Sequence, residues 1–363
     1  MAAEEQPLIT EKVQGEENII FPSAKEVYID KIRGMLFGVA IGDALGAPHE
    51  FRRSIPLEMY TGHLIYEPQM FSRFQGERKG VVGQVTDDTE MTIALANNLA
   101  NNGEYIREKV ILSYENWANS KPMGMGKNTR RLLEGVKTVS GYEKRYTKAL
   151  GKDLMDIQSN GSLMRASPLA ILVQPENTLT FNPVSTDSNI TNPNPVNEEA
   201  SHIYIYALNR ALAGFSATDI FDELGEGMDE YVSVIRQVFV EIFHGIPRDV
   251  TAIGKGWVVH GLYAGLLALH LYDNYSQTED ITQPFSETIN QIILMGGDTD
   301  TNAAIAGAMI GAYVGYNAMM EEETTRNNLD IIINTDTSAG DFSRPDVYHP
   351  KTIFQLAERL AEI

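Results

Sequence analysis

The sequence predicts an all-α fold on three observations. Apolar residues recur at three- and four-residue spacing along most of the chain, strand-like alternation is scarce, and several periodic segments end in Asn-Gly or Pro signals that close helices. No break in composition divides the 363 residues, so one domain is expected, large enough to bury a polar site without covalent staples. Residues 1–25 are acidic and aperiodic and read as a flexible tail, which leaves 26–363 as the folded domain.

Residues 34–47 are apolar on nearly every face and are followed by Pro48, the pattern of a central helix. Four glycines, Gly34, Gly38, Gly42 and Gly46, lie inside it. Each weakens a helix by about 1 kcal/mol relative to alanine, so their presence points to close approach of a backbone or a ligand. Met91, Leu95 and Leu99 set a second helix over 89–99, closed at Asn101-Asn102-Gly103. Helical patterns continue over 106–119, 128–139, 162–172, 197–215, 228–243, 256–272, 285–294, 301–316 and 352–363. Two stretches read as loop insertions, either lids or disordered: 174–196, rich in Pro, Asn, Ser and Thr, and the polar 321–350. No repeat of fixed period is present, although three Gly/Ala-rich helices recur.

Lysine plus arginine number 29 against 49 for aspartate plus glutamate, a net charge of −20. That balance opposes attraction to nucleic acid or an anionic membrane, and a polyanionic ligand would need a metal or a helix N-terminus to help it bind. The absence of cysteine removes disulfides, thiolate metal sites and cysteine nucleophiles together. Glu4 and Glu5 in an N-terminus without a long apolar run do not read as a secretion signal, and the most apolar stretches fall short of the ~20 residues a membrane span requires. The expected compartment is the cytoplasm.

Thr86-Asp87-Asp88-Thr89-Glu90 places a hydroxyl and two adjacent carboxylates at the mouth of a helix. Alone, the motif is equally well read as an N-cap. Asp298-Thr299-Asp300-Thr301-Asn302 repeats the arrangement before a helix that is hydrophobic all round and therefore buried, where unpaired charge is costly. Neither cluster contains Lys, Arg or His. A divalent cation resolves the conflict, and six hard oxygen donors suit two ions, Mg²⁺, Mn²⁺ or Ca²⁺, better than one. Gln158-Ser159-Asn160-Gly161-Ser162-Leu163-Met164-Arg165 and Lys121-Pro122-Met123-Gly124-Met125-Gly126-Lys127-Asn128-Thr129 are turns leading into helices, either anion-binding or ordinary. His260, His270, Trp117 and Trp257 read as packed residues. The chain has neither a Gly-x-Ser-x-Gly elbow nor a P-loop.

In Gly42-Asp43-Ala44-Leu45-Gly46 with Glu50, Thr86-Asp87-Asp88-Thr89, Asn160-Gly161-Ser162-Leu163-Met164-Arg165 and Gly296-Gly297-Asp298-Thr299-Asp300-Thr301-Asn302, the chain resembles the ADP-ribosylglycohydrolase family in motif order and spacing. The resemblance covers about residues 30–316. It implies a compact multi-helix orthogonal bundle holding two Mg²⁺ or Mn²⁺ ions through Thr86, Asp87, Asp88, Asp298, Asp300 and Thr301. The implied reaction releases ADP-ribose from modified proteins or small acceptors by hydrolysis at the distal ribose anomeric carbon. Asp298 would orient or activate water and Glu50 would assist. Ser159, Asn160, Gly161 and Ser162 would cradle the diphosphate, with Gly124 and Gly126 lining the ribose cleft. Two positions depart from the family pattern: Asn192 stands where members often carry histidine, and Met123 where some arginine-specific relatives carry an acidic residue. These departures put cleavage of ADP-ribosyl-arginine in question and motivate an alternative from a different class, an ADP-ribose-binding protein without turnover; a third reading is a metal phosphohydrolase that cleaves the diphosphate.

Overall fold

The computed structural model describes residues 22–51, 60–64, 80–173, 181–252 and 254–363. Residues 1–21 of the expected tail lie outside this set. Helix α1 (Ala24–Gly46) begins inside the tail's expected boundary, because Ser23 and Glu26 form a capping box that satisfies each other's backbone N–H. It is followed by α2 (Asp87–Asn102), α3 (Arg107–Ala118), α4 (Lys127–Leu133), α5 (Val139–Leu150), α6 (Asn182–Thr191), α7 (Pro195–Ala213) and α8 (Ala217–Glu226). The rest are α9 (Ser233–Phe243), α10 (Val258–Ser276), α11 (Pro284–Leu294), α12 (Thr299–Val314), α13 (Tyr316–Glu321), α14 (Glu323–Asn334) and α15 (Ile353–Leu360). Among the described residues there is no β-strand, only an isolated antiparallel bridge between Ser159 and Trp257.

The axis of the fold is the antiparallel pair α1 and α12. Gly34, Gly38, Gly42 and Gly46 face the backbones of Gly311, Gly307, Ala303 and Thr299 in turn, and a Cβ at any of the four would lie closer than 3.0 Å to a carbonyl oxygen. The glycines therefore serve backbone approach between helices, and residues 34–46 and 299–312 are buried throughout. Around this pair α10, α7, α11, α2 and α15 complete one continuous core. No described helix is long and apolar enough to cross a membrane.

Three sequence expectations are corrected. The region 174–196 carries α6 and the start of α7 over its described part, 181–196. Pro183 and Pro195 occupy first-turn positions, where the missing N–H is harmless, so these prolines start helices. The region 321–350 carries α14, whose apolar side buries Leu329 and Ile332. Residues 162–172 form 3₁₀ turns in place of an α-helix, because Pro168 cannot donate the hydrogen bond an α-helix needs.

His260 on α10 is buried against Trp257, with ring centroids 5.3 Å apart. Burial, helped by the Arg248 charge, pushes its imidazole down to about 4. Since the folded value lies below the ordinary one, this histidine's contribution is intact above the unfolded pKa of about 6.5 and is lost as pH falls toward 4. Between pH 7 and pH 4.5, His260→Gln is expected to gain about 1–2 kcal/mol of stability relative to wild type, allowing for partial screening. Thermal melts of both proteins at pH 7 and pH 4.5 check it; parallel declines would rule it out.

Candidate active site

The C-terminal end of α1 organises the first acidic segment. Asp43, fully buried, accepts hydrogen bonds from the backbone N–H groups of Thr86 (2.9 Å) and Thr89 (3.1 Å) and from their hydroxyls (2.7 and 2.5 Å). It thus caps α2 from a neighbouring helix, and neither Asp87 nor Asp88 is used as a cap. Asp88 Oδ2 lies 3.3 Å from the Thr86 hydroxyl, while Asp88 Oδ1 is buried with no hydrogen-bond partner.

The second acidic segment is set by α12. Asp298 occupies the N-cap position but makes no capping bond; instead, Asn160 Nδ2 donates to its Oδ2 at 2.8 Å. The Thr299 hydroxyl donates to the carbonyl of Gly46 (2.7 Å) and so closes the end of α1. Gly297, at φ 78°, is in a conformation that favours glycine, and a Cβ there would collide with the Val250 carbonyl. Its own carbonyl accepts from Phe51 N–H (2.5 Å), and Lys255 Nζ donates to Phe51 O (2.9 Å). Phe51 is held at φ 58°, a strain of about 1–3 kcal/mol for a non-glycine residue. This anchors Glu50 beside the α12 carboxylates: oxygens of Glu50, Asp298 and Asp300 lie within 4.8 Å of one another, a group that could hold a metal ion.

The carboxylates line a cavity of about 610 Å³. Of the residues singled out in the sequence, Glu50, Asp87, Asp88, Asp298, Asp300, Thr301, Gly126, Ser159, Asn160 and Gly161 line it. Hydrogen bonds from Asn160 N–H to Gly256 O (2.9 Å) and from Val258 N–H to Gln158 O (2.8 Å) pin the 158–160 loop against the start of α10. Thr86, Gly124, Ser162 and Asn192 are not on the cavity surface. Asn192 holds the loop from behind, donating to the carbonyl and hydroxyl of Ser159 (3.1 and 2.9 Å). Ser162 lies beneath it, within reach of Ser188 (3.3 Å) and Asn197 (3.4 Å). Met123 is buried with Ala47 and Phe342 in a small apolar cluster and does not line the cavity.

Burial first, then the Asp43 charge, pushes Asp87 up to about 7. Asp88 and Asp300 are raised well above the carboxylate range, again by burial first and then by neighbouring carboxylates, Asp43 for Asp88 and Glu50 for Asp300. Among the described residues, no Lys, Arg or His forms an ion pair with Asp87, Asp88 or Asp300. Hard oxygen donors, a buried carboxylate oxygen without a partner and mutual repulsion are together the surroundings that a divalent cation fits.

Residues 24–362 match the family profile described as ADP-ribosylglycohydrolase. The chain belongs to the ADP-ribosylglycohydrolase family. It is therefore an enzyme that hydrolyses a glycosidic bond. The ADP-ribosyl-dinitrogen reductase glycohydrolase of Rhodospirillum rubrum is 26% identical over 295 residues, covering 79% of this chain and 86% of that protein. The ADP-ribosylarginine hydrolase Tri1 of Serratia proteamaculans is 26% identical over 297 residues, covering 79% and 72%. A solved ADP-ribosylglycohydrolase-related protein complex shares the fold, with a TM-score of 0.63 and 22% identity over 92% of this chain and 98% of its own.

In this ADP-ribosylglycohydrolase, residues that sequence reasoning left without a role complete the site. Asp43 stood in the Gly42-Asp43-Ala44-Leu45-Gly46 motif of the family resemblance with no role of its own, and nothing local marks it as the cap of α2. Lys127, Asn128, Thr129 and Arg131 of α4 line the cavity wall. Arg131 donates to Asp153 Oδ1 at 2.6 Å. Asn128 Nδ2 donates to Thr191 O and so ties α4 to the end of α6. A polar turn before a helix was their only signal.

Proposed function

We propose that this enzyme is a metal-dependent hydrolase that frees ADP-ribose from modified proteins or small acceptors by cleaving the bond at the anomeric carbon of the distal ribose. Thr86, Asp87, Asp88, Asp298, Asp300 and Thr301 would hold two divalent cations, Mg²⁺ or Mn²⁺. The observation that carries the reading is that three acidic segments, Glu50, Asp87-Asp88 and Asp298-Asp300, line a single cavity, with oxygens of Glu50, Asp298 and Asp300 close enough together to share an ion. When bound, the cations would supply a positive field that orients ribose hydroxyls and acidifies a nearby water.

Asp298, its orientation fixed by Asn160, would take a proton from the attacking water as the new C–O bond forms and the glycosidic bond breaks. The bonding pair goes to the acceptor heteroatom, which takes a proton from solvent as it leaves, and Asp298 then returns the proton of the attacking water to solvent. Glu50 would assist from the segment pinned at Phe51. Ser159, Asn160 and Gly161 would contact the diphosphate, and Gly126 the ribose, with Ser162 and Asn192 supporting the loop from behind. Both departures from the family pattern are accounted for by packing or loop support, so neither favours the reading of a binder without turnover.

Incubation with Mg²⁺ or Mn²⁺ and a panel of ADP-ribosylated proteins and small acceptors is expected to yield free ADP-ribose. A chelator should stop its release and added metal should restore it. No release from any acceptor at any metal concentration would overturn the proposal. AMP as product would point to diphosphate cleavage. ADP-ribose binding without turnover would point to the binding protein, whereas turnover that is lost in Asp298→Asn would exclude it.

A further inference from the structure

The polar segment after α14 folds against the acidic end of the site. Phe342 joins Met123 and Ala47 in their apolar cluster, and its carbonyl accepts from Gln84 Nε2 at 2.9 Å. Two residues on, the buried guanidinium of Arg344 meets Glu90 in the first turn of α2: Nε donates to Oε1 (2.7 Å) and Nη2 to Oε2 (2.9 Å). The same group donates from Nη1 to the Ser120 carbonyl and from Nη2 to the Ser120 hydroxyl, both at 2.7 Å. Trp117 Nε1 donates to Glu90 Oε2 at 2.8 Å. None of these side chains lines the cavity. Yet Glu90 lies two residues beyond Asp88, and Ser120 begins the segment that delivers Met125 and Gly126 to the cavity wall.

We propose that Arg344 is a positioning residue for the reaction: it fixes the first turn of α2, and with it Asp87 and Asp88, against the wall formed by Met125 and Gly126. A planar guanidinium that bonds a carboxylate through two donors while bonding a third group admits one relative placement of its partners. A lysine ammonium is a point charge and would leave that placement free. The inference rests on the reading that Asp87 and Asp88 hold metal.

The test compares wild type, R344K and the charge-balanced double variant R344M/E90Q, which leaves no lone buried charge. Calorimetric Mn²⁺ titration, thermal melts, and kcat and KM for ADP-ribose release are measured on each. The Mn²⁺ Kd is expected to rise about tenfold or more in the variants, the range for losing support behind a metal ligand, with KM rising too. A lowered Tm with wild-type Mn²⁺ Kd and KM in the folded variants would show a merely structural role and overturn the proposal. A wild type that binds no Mn²⁺ would overturn the metal reading and this inference together. Should the double variant not fold, R344K alone decides.

Discussion

Gly38→Ala is expected to cost about 2 kcal/mol or more, although alanine is the better helix former by about 1 kcal/mol. The added methyl would meet the carbonyl of Gly307 and the backbone N of Ala308, atoms that no rotamer change can move. Relief requires α1 and α12 to separate. At about 2 °C per kcal/mol for a chain of this size, the melting temperature should fall by about 4 °C or more. Activity should fall even well below the melt, because α1 supplies Asp43, which caps α2, and α12 supplies Asp298 and Asp300. Gly225→Ala in α8 is the matched control: nothing lies within 4 Å of its Cβ, so it should raise stability by up to about 1 kcal/mol. Calorimetric melts of the two variants should shift in opposite directions; an unchanged or higher Tm for Gly38→Ala would refute direct backbone contact between α1 and α12 at this position.

Asp300→Asn is expected to abolish ADP-ribose release and weaken Mn²⁺ binding while making the metal-free protein more stable than metal-free wild type. In the fold, this carboxyl is pushed up by burial and by Glu50, Asp298 and Asp88, so its charge is a liability when no cation is present. The sign follows from proton linkage. A carboxyl whose folded pKa lies above its unfolded value destabilises at high pH, and stability returns as pH falls through the folded value toward the unfolded one. For Asp87 that window runs from about 7 down to its ordinary value of 3.8. In the His260→Gln background, which removes the opposing loss at that imidazole, the metal-free protein should therefore gain stability on acidification across this window. Saturating Mn²⁺ should flatten or invert the trend, adding about 2.7 kcal/mol at a hundred times its Kd. Melts at several pH values with and without Mn²⁺ test both statements. A metal-free Asp300→Asn protein less stable than wild type would mean that the buried charge is not the liability its surroundings imply.

Much of the site could be read from the chain because its chemistry is local. Two adjacent carboxylates in Asp87-Asp88, and Asp298 and Asp300 at the mouth of a helix apolar on all faces, declare a cost that something cationic must offset, whatever the surrounding fold. The helical class was equally legible, since spacing of three and four residues is a property of sequence. Proline misled where its position within a helix mattered: Pro183 and Pro195 start helices, and the polar surface of α14 hid an apolar stripe. Met123 and Asn192 drew attention as departures from a family pattern, but the structure turns the first into a small apolar cluster and sets the second behind the Ser159 loop.

By itself, then, the sequence determined that this is a helical protein with two acidic segments, each at the mouth of a helix, roughly two hundred residues apart. Only the tertiary structure decided that they share one cavity, that Asp43 caps α2 and thereby releases Asp87 and Asp88 from that duty, and that the glycines of α1 face a backbone. The physical reason is that composition and spacing record what each segment needs, burial of an apolar face or compensation of a charge. Which other segment meets the need is fixed by contacts such as Gly38 with Gly307, or Arg344 with Glu90, that leave no mark in the local sequence.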